Sequence, residues 1–261
     1  DLPCVIVNVM RGGPGLGGIQ PSQSDYWQAT RALGHGDFQI LVFAPSSVQE
    51  MADLMSLAFD SADKYRMPAM ILADGLLGQM MEPVTFASDE IHEHTAAEKP
   101  WAACGHGGKR PHNIINSLYL QAEELERLVV ERFQRYETVK GELHMAEQYL
   151  TEDAEIVVTA YGSVARLAKA AVDSARAQGI KAGLVRPVTL WPFPEQEVRD
   201  ACRNAKRVLC VEMSMGQMIE DVKLALGCRL PVEFFGRTGG VIPKPSEILE
   251  QIKALNAKEA E

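Results

Sequence analysis

An apolar run, Val5-Ile6-Val7-Asn8-Val9-Met10, delivers Arg11 directly into the glycine-dense turn Gly12-Gly13-Pro14-Gly15-Leu16-Gly17-Gly18. The polar stretch Gln20-Pro21-Ser22-Gln23-Ser24-Asp25 follows. A buried strand closed in this way commits the chain to an α/β sheet, in which ligands sit beyond the carboxyl ends of the strands. Glycine allows close backbone approach and positive φ, and an arginine presents the planar fork that matches a carboxylate or phosphate. The spacing is neither the G-x-G-x-x-G fingerprint nor a P-loop. On the residues alone, a tight surface turn with a solvated arginine satisfies the same pattern.

The rest of the chain repeats strand and helix. Asp25 to Leu33 reads as a short helix, Gln39 to Phe43 as a buried strand and Ala69 to Ala73 as another. Ser47-x-x-Glu50 has the capping-box pattern, and Val48, Met51, Ala52, Met55, Ala58 and Phe59 follow it at helical spacing. Such alternation implies a parallel sheet with right-handed crossovers. Residues 86–112 are polar and histidine-containing, a long connection. Asn113 to Glu137 then predicts an amphipathic helix of the kind that packs across a domain junction or against another subunit. A second α/β unit follows: strands at Ile156 to Ala160, Lys181 to Val185, Val208 to Val211 and Pro231 to Phe235, with helices at Val164 to Ala177 and Ser246 to Leu255. The expected division is residues 1–85, a connecting loop and helix over 86–150, and a doubly wound unit over 151–261.

Composition removes some classes. A formal charge of −9 argues against nucleic acid as a partner. No run of eighteen apolar residues or secretory signal pattern predicts a membrane span or export. Cys4, Cys104, Cys202, Cys210 and Cys228 are scattered, without C-x-x-C, which suits reduced, buried thiols in a cytoplasmic protein and no iron–sulfur cluster in this chain.

Several motifs carry a resemblance. Val7-Asn8-Val9-Met10-Arg11-Gly12-Gly13-Pro14 with Gln20-Pro21-Ser22-Gln23-Ser24-Asp25-Tyr26 resembles the α subunit of 2-oxoacid:ferredoxin oxidoreductases. So do Ala44-Pro45-Ser46-Ser47-Val48-Gln49-Glu50-Met51, Arg186-Pro187-Val188-Thr189-Leu190-Trp191-Pro192-Phe193-Pro194 and Val211-Glu212-Met213-Ser214-Met215-Gly216-Gln217. The Gly15-Leu16-Gly17-Gly18 version is most similar to the branched-chain (2-oxoisovalerate) type. The resemblance implies part of a thiamine-diphosphate-binding domain of pyrimidine type, then a transketolase C-terminal-like domain. It implies a cytoplasmic multi-subunit complex that decarboxylates a 2-oxoacid, uses CoA and hands electrons to ferredoxin. Thiamine diphosphate and Mg2+ would sit at a subunit interface and the [4Fe-4S] clusters in partner subunits. It also implies an upstream region, with a Thr-containing loop and the glutamate that activates the thiamine ring. Asp1-Leu2-Pro3 running straight into a strand fits a chain numbered from inside a domain.

Within that frame Arg11 is expected to grip the substrate carboxylate, with Gly12, Gly13 and Pro14 shaping the mouth and Gln20 and Asp25 adding polar contacts. Ser22 or Ser24 is the alternative cap of the next helix. His35 and Asp37 are expected beside the active site, against the reading of a plain turn. His92, His94, Cys104, His106 and His112 lack zinc spacing, and no metal is expected on them. Tyr161-Gly162-Ser163 reads as a helix cap, Trp191-Pro192-Phe193-Pro194 as a stiff corner, and Met213, Met215 and Met218 as filler. Two rivals remain: the β-type subunit of a lipoamide-linked 2-oxoacid dehydrogenase, and a non-catalytic assembly module.

Overall fold

The structure, a computed structural model, describes residues 2–86, 99–103 and 105–258. The first sheet takes its strands in the order β1 (Val5–Met10), β3 (Ala69–Asp74), β2 (Leu41–Phe43), β7 (Thr189–Trp191). The second runs β4 (Ala146–Tyr149), β6 (Ala182–Pro187), β5 (Ile156–Thr159), β8 (Arg207–Glu212), β9 (Val232–Gly236). Around them lie α1 (Tyr26–Thr30), α2 (Val48–Tyr65), α3 (Ala122–Glu142), α4 (Gly162–Arg176), α5 (Glu195–Ala201), α6 (Met218–Ala225) and α7 (Pro245–Ala257). The central pairs are parallel, and each sheet carries one antiparallel edge, β7 on β2 and β4 on β6. The α/β class expected from the sequence is the class observed.

Unbroken apolar runs make the central strands, as both faces of a parallel sheet are covered. Every residue of β2, β3, β5 and β6 is buried. Alternation then divides the second sheet between two cores. Ile156, Val158, Leu184 and Leu209 face α4 and α7. Val157, Val185, Val208 and Cys210 face the other way, into a core continuous with Met10, Phe43 and Ile71 of the first sheet.

Some expectations need correction. β1 is not buried: Ile6, Val7 and Val9 are each about two-fifths exposed or more, because β3 is its sole partner strand among the described residues. The strands β4 and β7 went unread, being short and, in Ala-Glu-Gln-Tyr, without apolar alternation. The predicted helix begins at Ala122 rather than Asn113. Ahead of it the Asn116 side chain accepts the Leu118 N–H at 2.9 Å, a local alternative to helix. Tyr136 on α3 does bridge the junction, with its hydroxyl 3.0 Å from the Gln39 N–H and its ring 5.5 Å from that of Trp191.

The capping box is half made. Ser47 accepts the Glu50 N–H at 3.1 Å, whereas the Glu50 carboxylate turns to Ser46 and to Arg186. Of the thiols, Cys202 and Cys210 are buried but Cys4 and Cys228 are exposed. Burial pushes the Cys202 thiol up to about 12. His92, His94 and Cys104 lie outside the described residues. His106 and His112 meet edge to face at 4.2 Å between ring centroids. No helix among the described residues is long and apolar enough to cross a membrane.

Candidate functional site

The parallel register aligns Met10 with Asp74, so Arg11 emerges at the carboxyl edge of the first sheet beside the turn after β3. Gly75 N–H donates to the Met10 carbonyl at 2.9 Å, and Arg11 pairs with Pro21 across the loop. The Gly12 N–H donates to the Gln20 carbonyl at 2.7 Å and the Gly18 N–H to the Gly12 carbonyl at 3.0 Å, folding residues 12–18 back on themselves. Arg11 fills the fold. Its Nη1 donates to the carbonyls of Gly12 at 2.8 Å and Leu16 at 3.0 Å, its Nη2 to that of Gly15 at 2.9 Å. Gly17, at φ +45°, has no room for a side chain: a Cβ there would lie 2.4 Å from Arg11 Nη1 and 2.0 Å from the Gly12 carbonyl oxygen.

Arg11 borders a cavity of about 420 Å³, within the usual size of a small-molecule site. Val9, Met10, Leu16, Ile19, Gly75 and Gln79 form most of the remaining wall. Three of the five guanidinium N–H groups are engaged by the loop, if each contact uses its own hydrogen. The Nε–H and the second Nη2–H, which share one edge, have no partner among the described residues. That edge is the one that receives a carboxylate side-on.

The other expected residues are placed as follows. Gly12 is buried against the Gly239–Gly240 turn of the second unit, which also presses on Gln20. Gly13 and Pro14 are not among the residues that line the cavity. Asp25 accepts from the Asn8 amide at 3.0 Å, and Ser22 pairs with Ser24 at 2.7 Å, so neither serine caps α1. His35 and Asp37 are not brought to Arg11. They precede β2, at the amino edge of the same parallel sheet, where His35 Nδ1 is 2.7 Å from the Gly36 carbonyl and Asp37 borders α3.

Sequence reasoning missed the buried polar residues that hold this edge to the second unit. Gln23 is fully buried. Its Nε2 donates to the Tyr161 carbonyl at 2.9 Å and its Oε1 accepts the Met213 N–H at 3.0 Å, while its own N–H reaches the Met213 carbonyl at 2.8 Å. The Tyr161 hydroxyl, raised well above its ordinary value by burial and then by Glu212, donates to the Gln23 carbonyl at 3.1 Å. Asp74 accepts the Ser163 hydroxyl at 2.6 Å and the Leu76 N–H at 2.9 Å, so an internal carboxylate occupies the start of α4. Glu212 does the same for α6, accepting from the N–H groups of Gln217, Met218 and Ile219. Each acid is the first charged residue after a buried apolar run, Ile71-Leu72-Ala73 and Val208-Leu209-Cys210-Val211, which is the signal that could have found them.

A second cleft, between Trp191, Phe193, His144 and Arg31, has polar side chains already paired within the chain. Arg31 pairs with Asp221, His144 with Glu197 and Arg199 with Glu195. The convergent chemistry is at Arg11.

Two family models match the chain. Residues 1–159 match the thiamine-diphosphate-binding domain of pyruvate flavodoxin/ferredoxin oxidoreductases, and residues 154–248 match core domain II of pyruvate:ferredoxin oxidoreductase. A ketoisovalerate oxidoreductase subunit VorB of Methanothermobacter marburgensis is 47% identical over 98% of this chain and 71% of its own length. A 2-oxoglutarate synthase subunit KorA of the same organism is 34% identical over 98% of this chain and 74% of its own. Among solved structures, a 2-oxoglutarate:ferredoxin oxidoreductase from Magnetococcus marinus superposes with a TM-score of 0.76 at 22% identity, over 97% of this chain and 48% of that one. A split-gene transketolase shares the fold more distantly, with a TM-score of 0.50. These matches set aside the lipoamide-linked dehydrogenase. The carboxyl-edge arginine, the two α/β units in this order and the matches spanning both mark the chain as a member of the 2-oxoacid:ferredoxin oxidoreductase family, of the ketoisovalerate oxidoreductase subunit kind.

Proposed function

We propose that this chain holds the substrate carboxylate in a multi-subunit complex that oxidatively decarboxylates 3-methyl-2-oxobutanoate, releases the acyl-CoA and passes electrons to ferredoxin. One observation carries the reading: Arg11, braced by three loop carbonyls and with its Nε–H unpartnered among the described residues, borders a cavity at the carboxyl edge of the first sheet. A charge-assisted bidentate contact contributes about 1.5–3 kcal/mol and fixes orientation. The carboxylate departs as carbon dioxide, so the useful grip orients the acid without stabilising its charge more in the ground state than in the transition state. Bracing by three loop carbonyls suits that task, because the guanidinium is positioned before substrate arrives.

Thiamine diphosphate supplies the electron sink for the carbon chemistry when bound. A diphosphate with Mg2+ needs convergent oxygen ligands and several donors. Among the described residues no three His, Cys, Asp or Glu side chains converge on such a point, and Arg11 is the one charged group on the cavity wall. The reading keeps thiamine diphosphate and Mg2+ at a subunit interface, supported by the match of residues 1–159 to a thiamine-diphosphate-binding domain, and puts the [4Fe-4S] clusters and the ferredoxin contact in partner subunits.

The test is CoA-dependent viologen reduction by the native complex isolated through this subunit, with 3-methyl-2-oxobutanoate, pyruvate and 2-oxoglutarate. Reduction with preference for the branched acid is expected. Preference for another acid discards the substrate, and no CoA-dependent reduction by an intact, cofactor-loaded complex discards the function.

A further inference from the structure

We infer that Ser163, on the second unit, is a positioning residue for the substrate: its hydroxyl fixes Asp74, and Asp74 fixes the turn over 75–79 that walls the cavity. The inference rests on the cavity beside Arg11 being the place of the 2-oxoacid. Ser163 lines no part of that cavity, so whatever it does for the substrate passes through Asp74.

The second unit is doubly wound: from β5 the chain adds β6 on one side, then β8 and β9 on the other. In such units the crevice at the switch, here between the carboxyl ends of β5 and β8, is where a ligand binds. The first unit fills it. Gln23 reaches the Tyr161 carbonyl after β5 and the Met213 backbone after β8, and Asp74 lies at the start of α4. Gly162, at φ +58°, lets the backbone come this near: a Cβ there would stand 3.2 Å from Gln23 Nε2 and 3.4 Å from Asp74 Oδ2. The Tyr161-Gly162-Ser163 turn, expected from the sequence to be a helix cap, thus takes its carboxylate from the other unit.

The two oxygens of Asp74 face different units. Oδ2 accepts the Ser163 hydroxyl at 2.6 Å and lies 3.4 Å from its backbone nitrogen. Oδ1 accepts the N–H groups of Leu76 and Leu77 at 2.9 and 3.2 Å. Gly75, Gly78 and Gln79 of that same turn line the cavity with Arg11. Asp74 and Ser163 are each 1% exposed, so bulk water does not replace a lost partner. Without the hydroxyl, the buried carboxylate is short of a donor and turns toward the N–H groups that remain. The turn that owns those groups moves with it. A wall that touches the substrate alike in ground and transition states then changes KM rather than kcat.

The competing role is plain cohesion between the units, which Arg186 and Glu50 also supply, through residues that do not belong to this turn. The native complex is compared with complexes carrying Ser163→Ala, Asp74→Ala, both together, or Glu50→Gln as the control for a weakened junction. Each is sized by gel filtration and assayed with 3-methyl-2-oxobutanoate. Ser163→Ala is expected to raise KM about tenfold at unchanged kcat, the lower end of what a hydrogen bond to a charged group is worth. The double variant is expected to match Asp74→Ala, because the two residues act in series. Glu50→Gln is expected to keep the native KM. An unchanged KM for Ser163→Ala, or additive effects in the double variant, overturns the inference and leaves the Arg11 reading standing. Equal rises in KM for Ser163→Ala and Glu50→Gln also overturn it, by reducing the contact to cohesion. Should Asp74→Ala fail to assemble, Ser163→Ala against Glu50→Gln decides alone. A native complex that reduces viologen with none of the three acids overturns the underlying function as well.

Discussion

Arg11 is braced by three loop carbonyls, and under the proposed function the same guanidinium also takes the substrate carboxylate, so lysine should not replace it. An ammonium on a flexible stem cannot satisfy three loop carbonyls and still present a planar edge. Arg11→Lys in the complex is expected to lose about 10–100-fold in kcat/KM, the worth of a bidentate contact, with loss concentrated in KM. Steady-state kinetics on the preferred acid checks this, and an unchanged kcat/KM would remove Arg11 from the site. This residue was legible because strand, arginine and glycines are contiguous in sequence. Gln23, Asp74 and Glu212 were not. Gln23 meets Tyr161 and Met213, and Asp74 meets Ser163, across long stretches of chain, so the apolar runs before Asp74 and Glu212 mark the two acids without disclosing what they bind.

At the level of elements, α1 is only five residues long and has no side-chain cap. It is fixed from outside instead: the buried Tyr26 hydroxyl donates to Asp221 Oδ2 at 2.6 Å, and Arg31 donates to Asp221 Oδ1 at 2.9 Å. Burial first, and Asp221 second, raise the Tyr26 hydroxyl well above its ordinary value, so it stays a donor throughout the useful pH range. Tyr26→Phe should lower stability by about 2 kcal/mol, the scale of a hydrogen bond to a charged acceptor, read as a drop in the urea midpoint at unchanged slope. An unaltered midpoint would mean that α1 is held by its apolar contacts alone. The same contrast explains which elements the sequence disclosed. The buried strands β3, β5, β6 and β8 announce themselves as apolar runs, whereas β7 is a three-residue piece ending at Trp191 whose identity comes from docking on β2. The half-made capping box is similar: Ser47 obeys the local rule, but a distant arginine outbids it for Glu50.

Across the whole molecule the two units are pinned by that arginine. Arg186, almost fully buried, donates to both Glu50 oxygens at 2.8 and 3.0 Å and to Glu147 at 2.9 Å. Burial would raise the Glu50 carboxyl, but Arg186 and Ser46 prevail and hold it below its ordinary value of 4.5. The resulting stability is fully present above the unfolded value and is lost as pH falls through the lower folded one. Glu50→Gln leaves a buried guanidinium short of charge and should cost about 3 kcal/mol at pH 7. It should also flatten part of the decline in urea midpoint below about pH 4.5. A variant whose acid limb matches the native one would show that Glu50 is not the group being titrated.

The placement of β7 has a consequence for how the chain is made. Val42 pairs with Trp191, so a strand completed early in translation waits for a partner that emerges after α3, β4, β5, α4 and β6. Until then the outer edge of β2 is an open template, the sort of surface on which nascent chains mispair. The first sheet thus closes only after much of the second has been made, and a ribosome stalled before Thr189 would hold β2 with its outer border still unsealed.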